Sequence, residues 1–334
     1  MAASSVSVVT ARAERYRRMS LVTLLTFAAL SPAAAQSTSD GALFLLLPIG
    51  AHAVGIGQAM VAEHAGSEGV WWNPSSIARQ SKSEIAIHHS QTITATGDAI
   101  SYVHPVRRLG SLALSIDILN FDEQQITDPS GTPIGVFLPR NIVLAATYGA
   151  AIGKRLSAGA SYKRIQYRVD CSGQCANVST FSATSSAADL GAQYEVPSAT
   201  PFTIGFAVRN LGTRLRVSDT DPADDLPTRL EAGASYVIPY INRVVSDTEV
   251  RVSGAVVATK TLDDPAVRVG AEMTYQKNVH LRAGYVARDA DGAAAALGFG
   301  LGSGRLVFDI ARTFGGLSAD SGETPTYFSL RYLF

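Results

Sequence analysis

Nothing in this 334-residue sequence stays apolar long enough to cross a bilayer as a helix. Such a helix needs about 20 consecutive apolar residues. The runs 21–30 and 43–47 hold only ten and five, and the second runs into Pro48. Charge is also sparse: 17% of residues are charged and they sum to zero, which argues against a nucleic-acid surface. Signatures of nucleotide or metal chemistry are missing too, with no Walker loop, dinucleotide fingerprint, EF-hand loop or G-x-S-x-G elbow.

The six histidines offer little. His88 and His89 are neighbours, so in a strand they face opposite sides, and His52, His64, His104 and His280 are scattered. His89 with Ser101, near Asp98, is the one pairing that adjacent strands bring close, and its spacing does not separate it from coincidence. No catalytic residue, metal site or cofactor is expected. The two cysteines, Cys171 and Cys175, sit in a CSGQC loop. In an oxidising compartment they are candidates for a local disulfide, because a metal site needs two further ligands and none is near. The acidic run 219–225 reads as a solvated loop, with weak calcium binding as the alternative.

What is present begins with an export signal. Arg12, Arg15, Arg17 and Arg18 precede the apolar run 21–30, and Ala33, Ala34 and Ala35 follow as small residues for cleavage. Residues 1–35 are therefore expected to be removed, with Gln36 as the mature terminus; Met19 is an alternative start.

From residue 83 onward the chain breaks into fourteen alternating segments of about eight to twelve residues, from 84–93 to 326–334. A soluble β-sandwich or a solenoid also alternates. Strands that cross a bilayer at a tilt need about 9–11 residues, however, against about five or six in globular proteins. The connections also sort by parity. Gaps after even segments are short (107–110, 153–155, 197–200, 277–278 and 302–304, with 239–248 the exception), and those after odd segments are long and polar (121–140, 170–183, 212–227 and 314–325). Short turns at one end and long loops at the other are the pattern of an outer-membrane barrel.

Within segments, Val267, Val269, Ala271, Met273 and Tyr275 alternate with Arg268, Glu272 and Thr274. The apolar set should face lipid, and Arg268, Glu272, Arg251, Arg164 and Arg209 the lumen. Tyrosines near segment ends, such as Tyr102, Tyr148 and Tyr194, suit an interfacial girdle. The chain closes on Tyr332 and Phe334, an aromatic ending similar to the signal that barrel-assembly machinery recognises in outer-membrane proteins. These features predict an all-β fold: a transmembrane antiparallel β-barrel of about 14 strands over 83–334.

Between signal and strands lies a Gly- and Ala-rich stretch, 36–82, that holds both tryptophans. It is read as a plug or hatch inside the barrel, with Gly55, Gly57, Trp71, Trp72, Asn73 and Pro74 as plug or gate candidates. Gly55 and Gly57 permit tight turns in a confined lumen. Asn73 before Pro74 is pushed to an extended conformation and can open a turn, and the indoles supply bulk that can seal against the wall. A short helix started by Asn-Pro, packed only to brace the barrel, fits the same residues.

This stretch resembles the N-terminal block of the PorV/PorQ family, within the larger group of FadL-like outer-membrane barrels. The resemblance is carried by Gly55-Ile56-Gly57-Gln58-Ala59, by Val61-Ala62 and by Trp71-Trp72-Asn73-Pro74-Ser75-Ser76-Ile77. Leu226-Pro227-Thr228-Arg229-Leu230, with Gly233 and Tyr236, is similar to a second recurrent stretch. The usual acidic pair before Asn-Pro is here Ala65-Gly66, with Glu63 and Glu68 nearby, and Ser75-Ser76 replaces Ala-Gly. The resemblance implies one of two roles. One is passive uptake or binding of hydrophobic small molecules. The other is an accessory role in type IX secretion, docking exported proteins or the translocon through extracellular loops. Lipid and the assembly machinery are the expected partners in either case. An apolar pocket under the long loops would favour the first, and a plugged, polar lumen the second.

Overall fold

A computed structural model describes residues 40–175, 181–216, 223–262, 265–287, 293–315 and 324–334. The expected export signal lies outside them.

Alternation of large apolar with small or polar residues makes these segments strands, because successive side chains point to opposite faces. The strands are β1 (Glu84–Gln91), β2 (Ala95–Val106), β3 (Gly110–Phe121), β4 (Gln124–Thr127), β5 (Pro133–Ile152), β6 (Leu156–Gly173), β7 (Phe181–Glu195) and β8 (Phe202–Gly212). They continue as β9 (Arg229–Val237), β10 (Thr248–Thr259), β11 (Ala266–Tyr275), β12 (Val279–Ala287), β13 (Ala294–Ser303), β14 (Leu306–Gly315) and β15 (Thr326–Leu333). Pairing is antiparallel throughout. β15 closes on β1, and β3 pairs directly with β5, so that fourteen strands form a closed barrel. The fifteenth, β4, pairs only with an extension of β5 beyond the wall.

That extension corrects one expectation. The gap 121–140 is not a polar loop: Gly135 to Arg140 run on as β5 against β6, and 124–127 fold back as β4. The run Ile134-Gly135-Val136-Phe137-Leu138 is strand-forming and finds partners in the lengthened β6, up to Gly173.

The outer face carries Ile100, Leu112, Leu114, Leu144, Val269, Leu297 and Phe308, all exposed, while Ala99, Val103, Ala113 and Val143 turn inward. A continuous apolar outer belt on a closed barrel is the surface of a membrane-spanning protein, because every backbone group of the wall is paired. Tyr102, Tyr148, Tyr194, Tyr236, Tyr275 and Tyr332 stand exposed near the short turns. Arg164 departs from its expected place. It points outward and bonds Thr184 and Ser186, while Lys163 beside it turns into the lumen. A shift of one residue reverses the face of every side chain on a strand.

The wall is filled from inside. Residues 49–79 are almost wholly buried and fold as two short helices, Ala51–Gly55 and Gly66–Gly69, and a 3-10 turn, Pro74–Ile77.

Candidate functional site

The inner segment is seated by small residues and by hydrogen bonds. Wall glycines let its backbone lie against the sheet: a Cβ at Gly191 would collide with Asn73 Oδ1, and one at Gly284 with the backbone nitrogen of Gly57. Gly57 itself has φ +61°, and a side chain there would sit 2.6 Å from Val269 O and Tyr285 N. Gly55 lies against Gly298 and Arg282.

Asn73 is fully buried. Its Oδ1 accepts from Ser75 N at 3.0 Å and caps the turn that Pro74 opens, while its Nδ2 donates to Val61 O at 2.6 Å. Pro74 packs on Gly159 and Gly191. Trp71 Nε1 donates to Ser101 Oγ at 2.9 Å and Trp72 Nε1 to Ile49 O at 3.0 Å. The structure thus brings all six plug candidates, Gly55, Gly57, Trp71, Trp72, Asn73 and Pro74, onto one packed segment inside the barrel.

Two kinds of wall surround it. Along β8 to β15 the lumen is ionic. Arg209 Nε donates to Glu231 Oε1 at 2.7 Å, and the guanidinium groups of Arg209 and Arg268 stack over Trp72 at 5.1 and 5.7 Å. Arg282 and Arg331 share Asp309 at 2.7 and 3.1 Å. Two carboxylates of the inner segment join in: Glu63 accepts from Ser235 at 2.6 Å and from Arg251 at 3.1 Å, and Glu68 accepts from Ala53 N at 2.7 Å. Across β2 to β7 the lumen carries an apolar cluster beside the buried Lys163–Asp189 pair at 2.6 Å. Trp71, Trp72, Ala99, Val143, Ile165, Leu215 and Leu226 form one cluster, against which Phe44, Leu45, Ile49 and Tyr167 pack.

That apolar cluster opens into a cavity of about 510 Å³ at the long-loop end. Leu43, Phe44, Phe121, Phe137, Tyr167 and Leu215 supply most of its wall; Asp40, Gln124, Asn141 and Asp224 supply polar edges. The roof is clamped. Asp40 pairs with Arg229 at 3.1 Å, Gly41 N donates to Asp225 O at 2.8 Å, and Asp225 pairs with Arg214 at 2.7 Å and with Lys260. Hydrogen bonds from Lys260 and then Arg214 hold the Asp225 carboxyl below the usual carboxylate range. In the acidic run, residues 219–222 lie outside the described residues, and Asp225 is held by cations of the protein itself.

The remaining candidates lie elsewhere. A disulfide joins Cys171 and Cys175 at the far end of β6, with Cα atoms 6.4 Å apart. Tyr332 and Phe334 meet edge to face at 5.0 Å, and Phe334 N donates to Ser83 O at 2.9 Å. The His89 and Ser101 pairing does not form. His89 bonds Asp98 at 2.8 Å on the outer face, whereas Ser101 is buried inside beneath Trp71. His88 faces in, bonded to Ser329 at 2.8 Å.

Sequence reasoning missed the cavity, since its lining is divided between the stretch 36–82, strands, and gaps read as loops. The one signal available was the apolar run 134–138 inside the supposed loop. It also missed Glu63 and Glu68 as anchors, although two acids in a Gly- and Ala-rich stretch are conspicuous.

The fold defined here is a closed, 14-stranded antiparallel barrel with residues 49–79 packed inside it. Among solved structures it is similar to the CymD monoaromatic hydrocarbon channel, with TM-score 0.59 and 14% identity over 89% of this chain and 99% of that one. It is also similar to the Ralstonia pickettii toluene transporter TbuX, with TM-score 0.55 and 13% identity over 85% and 98%. A Pseudomonas aeruginosa FadL homologue gives TM-score 0.54 and 12% identity over 86% and 98%. No family model and no curated protein matches the sequence.

Proposed function

We propose that this chain is an outer-membrane conduit that binds hydrophobic small molecules at its extracellular mouth and passes them inward without an energy source. The observation that carries this reading is the apolar cavity under the long loops, continuous with the apolar cluster around Trp71 and Trp72. Volumes of this order, walled by aromatic side chains with a few polar groups, are typical of small-molecule sites. The long-loop end is then extracellular and the short-turn end periplasmic. The inner segment is the hatch that a ligand must pass, and Tyr332 and Phe334 at the end of β15 form the signal to the assembly machinery. Similar solved structures described as channels for monoaromatic hydrocarbons and toluene support the reading. A PorV-like docking role in type IX secretion rests on the sequence motifs alone.

The test is equilibrium binding of ethylbenzene to the full chain in lipid nanodiscs, with protein-free nanodiscs as blank. Saturable binding is expected, weakened roughly three- to tenfold by Phe137→Ala. Uptake no greater than that of the blank overturns the reading.

A further inference from the structure

The cavity is not uniformly apolar. Asn141, on β5, lines it and is only 1% exposed, yet neither its Nδ2 nor its Oδ1 has a hydrogen-bond partner. Buried polar side-chain atoms are satisfied in the large majority of cases, so an amide with both ends unmet is a feature to be explained. A pure hydrocarbon does not explain it, because closing a hydrocarbon over the amide leaves both groups unmet at a cost.

The neighbours of Asn141 along β5 and on β3 offer it no polar group. Val143, two residues along on the same face, is apolar, and so is Leu119, its partner on β3. On β6 it lies opposite Tyr167, which also lines the cavity. The cavity's charged edges are the carboxylates Asp40 and Asp224. Asp40 is already paired with Arg229, and no cationic side chain is among the described residues that line the cavity, so nothing there holds an anion and a neutral head group is the fitting one. An amide both donates and accepts, and so does a hydroxyl or another amide.

We infer that Asn141 is the specificity-determining residue of this cavity, selecting neutral amphiphiles with an aromatic or aliphatic body and one head that both donates and accepts hydrogen bonds, such as an aromatic alcohol, phenol or amide. The inference rests on the cavity being the ligand site and adds which ligands it prefers. The body lies against Phe44, Phe121 and Phe137, and the head meets the Asn141 amide.

Benzyl alcohol and ethylbenzene test it, since they match in size and differ by a hydroxyl in place of a methyl group. Binding of both to the full chain in nanodiscs is measured for wild type, Asn141→Leu and Asn141→Ala. Correct folding is checked by the heat-dependent gel shift of the barrel. Loss of one hydrogen bond predicts that both variants weaken benzyl alcohol roughly three- to tenfold and leave ethylbenzene unchanged or tighter. Equal effects on the two ligands, or none on either, overturn the selectivity while leaving the cavity as the site. If wild type binds neither ligand above the blank, the cavity reading falls and the inference with it. Should Asn141→Leu fail the folding check, the smaller Asn141→Ala carries the comparison alone.

Discussion

Arg209 on β8 donates through Nη1 to the carbonyl oxygen of Trp71 at 3.1 Å. The same guanidinium holds Glu231 and stacks on Trp72, so one wall residue fixes both tryptophans of the inner segment. Its carboxylate partner is fully buried, and the next cation, Arg268, stands 3.7 Å away.

Arg209→Leu should therefore destabilise by about 3 kcal/mol, because it leaves a buried carboxylate with only the more distant Arg268 as counter-charge. The unfolding midpoint in denaturant, read in lipid vesicles, measures this. Replacing both partners, Arg209→Leu with Glu231→Gln, should recover most of the loss. If the double variant is no better than the single one, the cost does not come from the unpaired charge.

Asn73 acts locally. Asn73→Ala removes both the cap on Ser75 and the tie to Val61, an expected loss of about 1–2 kcal/mol. It should show as faster proteolysis within 61–80 while the barrel midpoint barely moves. Asn73→Asp keeps the acceptor and loses the donor, so its cleavage rate should fall between those of wild type and Asn73→Ala. A barrel that unfolds as a whole would instead make Asn73 part of the global fold.

The barrel was legible in the sequence because lipid on one side and a filled lumen on the other impose strict alternation. Val267 to Tyr275 could be placed by that rule alone. Arg164 could not, since Lys163 and Arg164 are adjacent cations and alternation alone does not say which of them turns inward. The inner segment was legible from Trp71-Trp72-Asn73-Pro74, as Asn before Pro has a local turn chemistry that composition reveals. The cavity was not. It gathers Phe44, Leu215 and, from the stretch 121–140, Phe121 and Phe137: three separate stretches that only the folded barrel makes neighbours.

The roof of the cavity should depend on acid. Lys260 and Arg214 lower the carboxyl of Asp225 relative to the unfolded chain. A depressed carboxylate stabilises the fold above its unfolded pKa, and that contribution is lost as pH falls through the folded value. The clamp should thus be intact at neutral pH and loosen only below the usual aspartate range. Amide exchange at Gly41 and Leu215, which donate to Asp225 O and Asp224 O, reports it. Asp225→Asn should raise exchange at both amides at neutral pH and abolish the acid step. An acid step that survives in Asp225→Asn points to another group.

The sharpest test of the inner segment as a hatch uses a wall glycine. Gly284 pairs with Gly270 across β12 and β11, and in this crease Ile56 and Gly57 lie against the sheet. A Cβ at Gly284 meets backbone of the inner segment, which cannot swing aside as a side-chain tip would. The wall keeps its own ladder, so Gly284→Val should displace the segment without opening the barrel. In planar bilayers wild type is expected to conduct little, and Gly284→Val to conduct measurably more. Gly254→Val is the control. A Cβ there has only Arg268 O nearby, at 3.8 Å, so the same change two strands away should leave conductance at the wild-type level. Equal conductance in Gly284→Val and Gly254→Val would mean that the segment braces the wall rather than closing the lumen.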